Sequence, residues 1–242
     1  MIGAVTFDFW GTLYVEGPAV EQRRQLRQDY ALGFFMGAGA HVSPSQLKYA
    51  FEILFHDVER MRMISHAGVP AEEMGQRLAR IVGVELSSQD GRRLGEVMSS
   101  AACEAPPVPA PGAVEVLQAL HGKVRIGLIS DTGITQGRDL FRVMEADGVA
   151  RLIDHFTFSD ETGTTKPEVR QFHYTLHRLG VPAERAVHVG DLEDSDIVGA
   201  RQAGMRAIRI VHPESAPTTA ADAAVAHIAD VLNVLGQWGL AF

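Results

Sequence analysis

Cysteine is nearly absent from this chain of 242 residues, which contains only Cys103. A single cysteine excludes an internal disulfide, so we expect a reducing, cytoplasmic environment. Long apolar runs are absent too, and Asp8 interrupts the first apolar stretch. We therefore expect neither a signal peptide nor a membrane span. Basic residues are in deficit, 22 against 30 acidic ones with a formal net charge of −8, which argues against a nucleic-acid surface or an anionic membrane as partner.

Hydrophobic residues make up 46% of the chain, a fraction that is ordinary for a soluble globular protein. Outside residues 17–104, short apolar or β-branched runs alternate with segments of helical length. The predicted strands are residues 2–7, 124–129, 155–158, 186–189 and 206–211. The predicted helices between them include residues 113–120, 167–179 and 194–203. This alternation predicts an α/β fold with a doubly wound, mostly parallel sheet.

Residues 17–104 have a helical pattern instead. Apolar side chains recur there at helical spacing, and the clearest series is Leu47, Phe51, Leu54, Phe55 and Val58. We predict a helical domain at residues 17–104, inserted into a core domain of residues 1–16 and 105–242. The proline-rich residues 105–112 are predicted to form a stiff return linker, and residues 215–224 a surface loop.

Four segments carry side chains of useful chemistry at the predicted ends of strands. The first strand is followed by Asp8, and Gly11 and Thr12 come shortly after it. A carboxylate at the tip of a buried strand lies where open α/β sheets bind their ligands. The second predicted strand is followed by Ser130 and Asp131, and the Ser130 hydroxyl can hydrogen-bond an anion.

The other two segments add a cation and further carboxylates. Lys166 precedes Pro167, and a proline at the first helical position would hold Lys166 outside the start of the helix. Asp191 and Asp196, five positions apart, follow the strand predicted at 186–189. A carboxylate can attack phosphorus or carbon to form a covalent intermediate. Carboxylate oxygens also suit Mg²⁺, which together with a lysine would neutralise phosphate oxygens in a transition state.

The four segments, in this order, resemble the motifs of the haloacid dehalogenase-like hydrolase superfamily, and the resemblance covers nearly the whole chain. Asp8 matches the nucleophile of that family and Ser130 the hydroxyl of its second motif. Lys166 matches the lysine of the third motif, and Asp191 with Asp196 the metal-binding acids of the fourth. The insertion at residues 17–104 matches the helical cap of many members.

The resemblance implies a Rossmann-like core with a mobile α-helical cap, and Mg²⁺ as the cofactor. Asp8 would then be the nucleophile and, with the two acids of the fourth motif, a metal ligand. The residues expected to bind the phosphate group are Thr12, Ser130, Asp131 and Lys166. The expected substrate is a small phosphorylated metabolite, and the cap residues carry no motif that identifies it. The oligomeric state, including a homodimer, is left open.

Trp10 departs from the family pattern. Phosphatases of this superfamily usually have a second aspartate two residues after the nucleophile, which protonates the leaving oxygen and then activates water. Tryptophan can do neither, and a positioned acid–base contributes ~10²–10⁴-fold to the rate. The first hypothesis is therefore a Mg²⁺-dependent phosphatase that has moved its acid or acts on a good leaving group. The candidate replacement acids are Asp131, Glu193, Asp194, His41, His56 and His66.

A metal-free 2-haloacid dehalogenase is the second hypothesis. That group has an aromatic residue, tyrosine, at the position of Trp10, and halide needs no proton to leave. Residues 21–30 loosely resemble the dehalogenase segment that supplies a substrate-binding arginine, although a solvated helix face is the more ordinary interpretation of Arg23, Arg24 and Arg27. Two substitutions argue against a dehalogenase, because Phe172 stands where it has tyrosine and Asp191 where it has serine.

A non-catalytic binding or regulatory protein on the same fold is the third hypothesis. It accounts for the missing acid at Trp10 as an early loss of activity. It gives no reason, however, for the chain to keep Asp8 and Lys166 together with both metal-binding acids.

Overall fold

A computed structural model describes residues 1–215 and 220–241 of the chain. The strands are β1 (Ala4–Phe7), β2 (Tyr14–Val15), β3 (Val108–Pro109), β4 (Arg125–Ser130), β5 (His155–Phe158), β6 (Ala186–Gly190), β7 (Arg206–Ile210) and β8 (Ala223–Val225). The helices are α1 (Val20–Gly37), α2 (Pro44–Arg60), α3 (Ala71–Ile81), α4 (Ser88–Glu104), α5 (Ala113–Leu120), α6 (Gly137–Ala146), α7 (Ser159–Thr162), α8 (Val169–Leu179), α9 (Val198–Gln202) and α10 (Val231–Gln237). Among these residues, no helix has both the length and the apolar character that a transmembrane helix requires.

The main sheet is parallel, and its strands lie in the order β5-β4-β1-β6-β7-β8. Strand β1 is central, with Phe7 level with Leu128 of β4 on one side and Val189 of β6 on the other. Every residue of β1 and β6 is buried, as expected for strands covered by helices on both faces. The predicted α/β fold is confirmed. The carboxyl ends of β1, β4 and β6 meet at the point where the strand order reverses, which is where such sheets bind ligands.

The five predicted strands are present within two residues of their predicted bounds. Strand β8 and the short antiparallel pair of β2 and β3 were not predicted, because runs of two or three residues are too short to show a strand period. Residues 216–219 of the predicted surface loop lie outside the described residues, and β8 begins inside the rest of that loop.

Three predictions about local structure near the site were wrong. The third segment does not end a strand, because α7 separates it from β5, and α8 begins at Val169 rather than at Pro167. The reason is a turn in which the Glu168 N–H donates to the Thr165 carbonyl, so the helix forms only after it. The helix predicted at 194–203 is divided into a π-helical turn, Glu193–Ile197, followed by α9.

A helical insert, α1–α4, follows the first strand, as predicted. It has its own apolar core, in which Phe35 of α1 and Leu54 of α2 pack with Leu78 of α3 and Leu94 of α4. The pair of β2 and β3 joins the two ends of the insert to the main domain. The division into domains at residues 17 and 105 remains our proposal.

Candidate active site

Lys166 joins two carboxylates that come from different elements. Its Nζ donates to Asp8 Oδ1 at 2.5 Å and to Asp196 Oδ1 at 2.6 Å, with the Ile129 carbonyl at 3.1 Å as a third acceptor. Asp8 directly follows β1, and Asp196 lies in the π-helical turn after β6. All three side chains are buried, so the sheet topology brings residues more than 150 positions apart into one ionic cluster.

Asp191 completes a group of three acids with Asp8 and Asp196. One oxygen from each of the three carboxylates lies within 4.8 Å of the others. Asp191 Oδ1 is buried and has no hydrogen-bond partner among the described residues. Carboxylate oxygens at this spacing, one of them without a partner, fit the ligand preference of Mg²⁺. The three predicted metal ligands are therefore brought together.

Two glycines allow the acids to come this close. A Cβ added at Gly190 would lie 2.3 Å from Asp196 Cγ, and one added at Gly11 would lie 2.5 Å from Asp191 Oδ2. Gly11 also has a φ of +70°, which other residues rarely adopt. Both positions therefore require glycine for a steric reason that the motif alone does not reveal.

The charges of the cluster do not balance. Burial raises the pKa of the Asp8 carboxyl well above its usual range, with Lys166 opposing and Asp196 adding to the rise. Burial also raises the pKa of Asp191 to about 6, with Asp196 adding to the rise. Burial opposes ionisation of Asp196 and Lys166 as well. However, the charge of Lys166 lowers the pKa of Asp196, and the charge of Asp196 raises the pKa of Lys166, so both side chains are ionised. Lys166 and Asp196 thus form an ion pair, while burial disfavours the charged forms of Asp8 and Asp191, which a bound cation would stabilise.

The predicted phosphate-binding hydroxyls are buried beside this cluster. Thr12 Oγ1 and Ser130 Oγ have no hydrogen-bond partner among the described residues. Buried polar groups are nearly always paired, so the hydroxyls of Ser130, at the carboxyl end of β4, and of Thr12, in the turn between β1 and β2, are free to bind a ligand. Asp131 is half-buried, accepts the Lys166 N–H at 2.9 Å, and has a pKa that burial raises to about 6.

A cavity of about 310 Å³ lies over the cluster, between the main domain and the insert. Its floor includes Asp8, Asp131, Lys166 and Asp191. Its roof and walls come largely from the insert and include Arg23, Arg27, Phe55, Val58 and Arg62. The side chains that the main domain contributes to the cavity are therefore mainly acidic, with Lys166 among them, and the insert contributes three arginines together with Glu59.

Trp10 lines this cavity and has no group for acid–base chemistry. Its ring meets the edge of Phe9 at a centroid distance of 4.8 Å, and the Arg23 guanidinium carbon lies 6.0 Å from the indole centroid. Of the six candidate replacement acids, Asp131 alone lines the cavity. Glu193 is paired with Arg209, Asp194, His41 and His56 are exposed, and His66 contacts the Arg62 carbonyl through Nδ1.

The prediction of a solvated helix face for the arginines of α1 is wrong for two of the three. Arg24 is exposed and paired with Glu21, as predicted. Arg23 is only 1% exposed and donates to the Ala105 carbonyl, and Arg27 lines the cavity. The main domain covers α1 along the face that carries Arg23 and Arg27. The helical spacing of apolar residues does not reveal that a polar face of a helix packs against another domain.

Three further residues at the site escaped the sequence reasoning. His188, inside β6, lies with Nε2 3.2 Å from Asp196 Oδ1. His212 lies with Nε2 2.9 Å from the Gly11 carbonyl and 3.9 Å from Asp191 Oδ2. Arg62 lines the cavity from just beyond α2. For His188 there was a signal, since a histidine in a strand predicted to be buried needs polar partners.

Comparison with known proteins gives one family and several relatives. Residues 2–204 match the family described as haloacid dehalogenase-like hydrolase. The chain is 36% identical over 100 residues to the pyrimidine 5'-nucleotidase YjjG of Escherichia coli (strain K12), a match covering 40% of this chain and 42% of that protein. It is 40% identical over 105 residues to a glyceraldehyde 3-phosphate phosphatase of Methanothermobacter thermautotrophicus, covering 42% of this chain and 44% of that one. The match spans less than half the length of either relative.

The fold also resembles solved structures over its full length. The crystal structure of a 2-haloacid dehalogenase from Pseudomonas syringae pv. Tomato DC3000 matches 99% of this chain and 100% of that chain, with a TM-score of 0.71 and 23% sequence identity. At this identity the likeness is one of fold.

Proposed function

Because this chain belongs to the haloacid dehalogenase-like hydrolases, we propose that it is a Mg²⁺-dependent phosphatase of a small phosphorylated metabolite, with Asp8 as the nucleophile. The observation that carries this proposal is the grouping of Asp8, Asp191 and Asp196 within 4.8 Å around Lys166. A metal-free reaction gives no reason for three neighbouring carboxylates. The names of the relatives, a nucleotidase and a phosphatase, support phosphate esters as the substrate class.

In the first step, an Asp8 oxygen attacks phosphorus, the new P–O bond forms, and the bond to the leaving alkoxide or phenoxide breaks with its electron pair. Lys166 contacts Oδ1 of Asp8, which leaves Oδ2 for the attack. In the second step, water attacks the phosphorus of the aspartyl phosphate, releases inorganic phosphate and restores the carboxylate. The protein thus needs to reduce the repulsion between two anions and to hold them in line.

The residues around Asp8 are suited to both tasks. Asp8, Asp191 and Asp196 would hold Mg²⁺, which when bound neutralises charge on the nucleophile and on the phosphate. Lys166 adds a fixed positive charge, and the unpartnered hydroxyls of Thr12 and Ser130 would donate to phosphate oxygens. Trp10 offers no proton to the leaving group, so good leaving groups are the favoured substrates.

The test is a substrate screen with Mg²⁺ and with EDTA. It includes p-nitrophenyl phosphate, acetyl phosphate, alkyl phosphates and 2-chloropropionate. We expect Mg²⁺-dependent phosphate release, fastest from aryl and acyl phosphates, and a loss of ~10³-fold or more in Asp8→Asn. Halide release that EDTA leaves unchanged would instead establish the metal-free dehalogenase. Ligand-induced stabilisation without any turnover would favour the binding protein.

A further inference from the structure

Arg209 is a buried cation to which the proposed reaction gives no part. It lies in β7, level with Gly190 at the end of β6, and its side chain is buried. Its Nε donates to the Asp191 carbonyl at 2.9 Å, and its Nη1 donates to Glu193 Oε2 at 3.1 Å. One side chain of the sheet thus binds both the backbone of a proposed metal ligand and the residue two positions after it.

Glu193 extends this contact to a third segment of the chain. Its other carboxylate oxygen, Oε1, accepts the Ala220 N–H at 2.8 Å, shortly before β8 begins. Both side chains of the Arg209–Glu193 pair are largely buried. Burying an ion pair costs desolvation free energy, and the hydrogen bonds to backbone groups offset part of that cost. The pair therefore links β7, the loop after β6 and the segment that leads into β8.

The loop after β6 is also closed by hydrogen bonds of its own. The Leu192 N–H donates to Asp196 Oδ2 at 3.0 Å, and the Asp196 N–H donates to the Leu192 carbonyl at 2.9 Å. These two hydrogen bonds fix the shape of the loop. They do not attach it to the neighbouring strand β7, and Arg209 makes that attachment.

The two acids of this loop are held in different ways. The Asp196 carboxylate is bound directly by Lys166. Asp191 Oδ1 has no hydrogen-bond partner in the part of the chain that the structure describes, so the position of this carboxylate depends largely on its backbone. Arg209 binds that backbone at the carbonyl. An arginine suits this contact, because its planar fork reaches the carbonyl and the Glu193 carboxylate together in a fixed geometry.

We propose that Arg209 is a positioning residue of the metal site, which holds the Asp191 backbone so that the Asp191 carboxylate is in place before a cation binds. Glu193 is then the counter-ion that keeps the guanidinium in position, and not an acid that acts on the substrate. The inference rests on the proposed function in that it takes the three neighbouring acids to bind Mg²⁺. A preorganised ligand binds more tightly than one that binding must first order.

Metal affinity is the decisive measurement, because charge and position predict opposite results. Removing a positive charge near the acids would tighten Mg²⁺ binding by Coulomb attraction, whereas releasing the Asp191 backbone would weaken it. The double variant Arg209→Met/Glu193→Gln removes one charge of each sign and keeps an amide oxygen for the Ala220 N–H. We expect calorimetric titration of the substrate-free protein to show an Mg²⁺ affinity at least ~10-fold lower than that of the wild type. Arg206→Met, exposed at the other end of β7, is the matched control and should keep the wild-type affinity.

Two single variants distinguish positioning from general stability. Arg209→Lys keeps the charge but replaces the fork by one ammonium group, so its Mg²⁺ affinity should lie between those of the wild type and the double variant. Arg209→Met leaves the Glu193 carboxylate largely buried without its arginine, so its melting temperature should be lower than that of the double variant. A purely structural role of Arg209 would lower the melting temperature and leave the Mg²⁺ affinity unchanged.

An Mg²⁺ affinity of the double variant equal to or above that of the wild type would overturn the proposal, and so would an equal loss in Arg206→Met. The titration contains no substrate, so it separates this inference from the proposed function. If the affinities change as expected while no phosphate ester is cleaved, the proposed function fails and the role of Arg209 stands. If phosphate esters are cleaved and the double variant binds Mg²⁺ as the wild type does, the role of Arg209 fails alone. A wild type that binds no Mg²⁺ would overturn both.

Discussion

Trp10 restricts the chemistry of the site more than any other side chain that lines the cavity. Its indole lies against Phe9 and near the Arg23 guanidinium, so it is a packed wall of the cavity as well as a missing acid. Replacing it by aspartate would set a carboxylate near a cation, in the position where related phosphatases carry their acid–base.

We predict that Trp10→Asp raises kcat/KM for alkyl phosphates relative to aryl phosphates by ~10-fold or more, because alkoxides need the proton that phenoxides do not. The measurement is the ratio of the two kcat/KM values in wild type and variant. Trp10→Phe is the control and should leave the ratio unchanged. An unchanged ratio in Trp10→Asp would mean that the acid lies elsewhere, and Asp131 would be the first residue to test.

His188 connects the core of the sheet to Asp196, one of the three proposed metal ligands. Thr6 Oγ1 lies 2.8 Å from His188 Nδ1, on adjacent positions of the paired strands β1 and β6. Burial lowers the pKa of His188, so the ring is neutral. The consistent arrangement has the Thr6 hydroxyl donating to Nδ1 and the Nε2–H donating to Asp196 Oδ1.

Without the hydrogen bond from His188, the Asp196 carboxylate should be held less firmly in its position. We predict that His188→Phe lowers the apparent Mg²⁺ affinity by ~10–100-fold, the usual effect of losing a hydrogen bond behind a metal ligand. Activity measured against Mg²⁺ concentration, or calorimetric titration with Mg²⁺, gives the affinity. His188→Gln keeps an amide donor and should recover part of it. Equal Mg²⁺ affinity in wild type and His188→Phe would contradict a positioning role.

At the scale of elements, helices α3 and α4 approach each other closely through glycine. A Cβ added at Gly95 would lie 1.9 Å from the Ala71 carbonyl oxygen, and one at Gly75 would lie 2.0 Å from the Gly91 carbonyl oxygen. Both obstacles are backbone, so neither can move without separating the helices. This contact fixes two of the helices that form the insert.

We therefore predict that Gly95→Ala lowers the free energy of unfolding by at least about 2 kcal/mol, as overpacking of a tight contact does. Gly33 provides the matched control in α1, because a Cβ there would meet nothing within 4 Å. Gly33→Ala should be neutral or stabilising by up to about 1 kcal/mol through helix propensity. Urea unfolding of the three proteins measures both effects, and similar midpoints for Gly95→Ala and wild type would refute the close packing.

Sequence patterns predicted the sheet and the positions of its acids because both depend on local signals. A strand buried on both faces is a continuous apolar run, and Asp8 and Asp191 follow such runs directly. Lys166 was found from its motif, although its loop follows α7 rather than a strand. Strands β2, β3 and β8 are only two or three residues long and form by pairing with a neighbouring strand. Segments of this length carry no sequence pattern that predicts such pairing.

The roof of the site could not be predicted in the same way. Arg24 and Arg27 lie in one polar stretch of α1, yet one is exposed and the other lines the cavity. The difference comes from the packing of the insert against the main domain, and this contact has no counterpart in the spacing of apolar residues along the sequence. The buried, unpartnered Nε of Arg27 is visible only in the folded molecule.

At the scale of the whole molecule, we expect binding of a metal ion by the three proposed ligands to change the stability of the fold. The ordinary pKa of an aspartate side chain is 3.8, and burial raises the pKa of Asp8 well above this value. Burial also raises the pKa values of Asp131 and Asp191 to about 6. At Asp131 and Asp191, between about pH 4 and 6, the unfolded chain therefore releases protons that the folded chain keeps, so these two groups lower stability as pH rises through that window, and the raised pKa of Asp8 acts in the same direction. Asp196 has a lowered pKa, and its favourable contribution is already complete above pH 3.8.

We predict that Mg²⁺ raises the melting temperature more at about pH 7.5 than at about pH 5. At the lower pH, protons on Asp8 and Asp191 compete with the metal, and at the higher pH the metal neutralises carboxylates that repel one another. Thermal unfolding at both pH values, in EDTA and in Mg²⁺, measures the two increments. Asp191→Asn, the matched control, should be more stable than wild type in EDTA at about pH 7.5 and should lose most of the Mg²⁺ increment. If the increment is the same at both pH values, or survives in Asp191→Asn, the three carboxylates do not form the metal site.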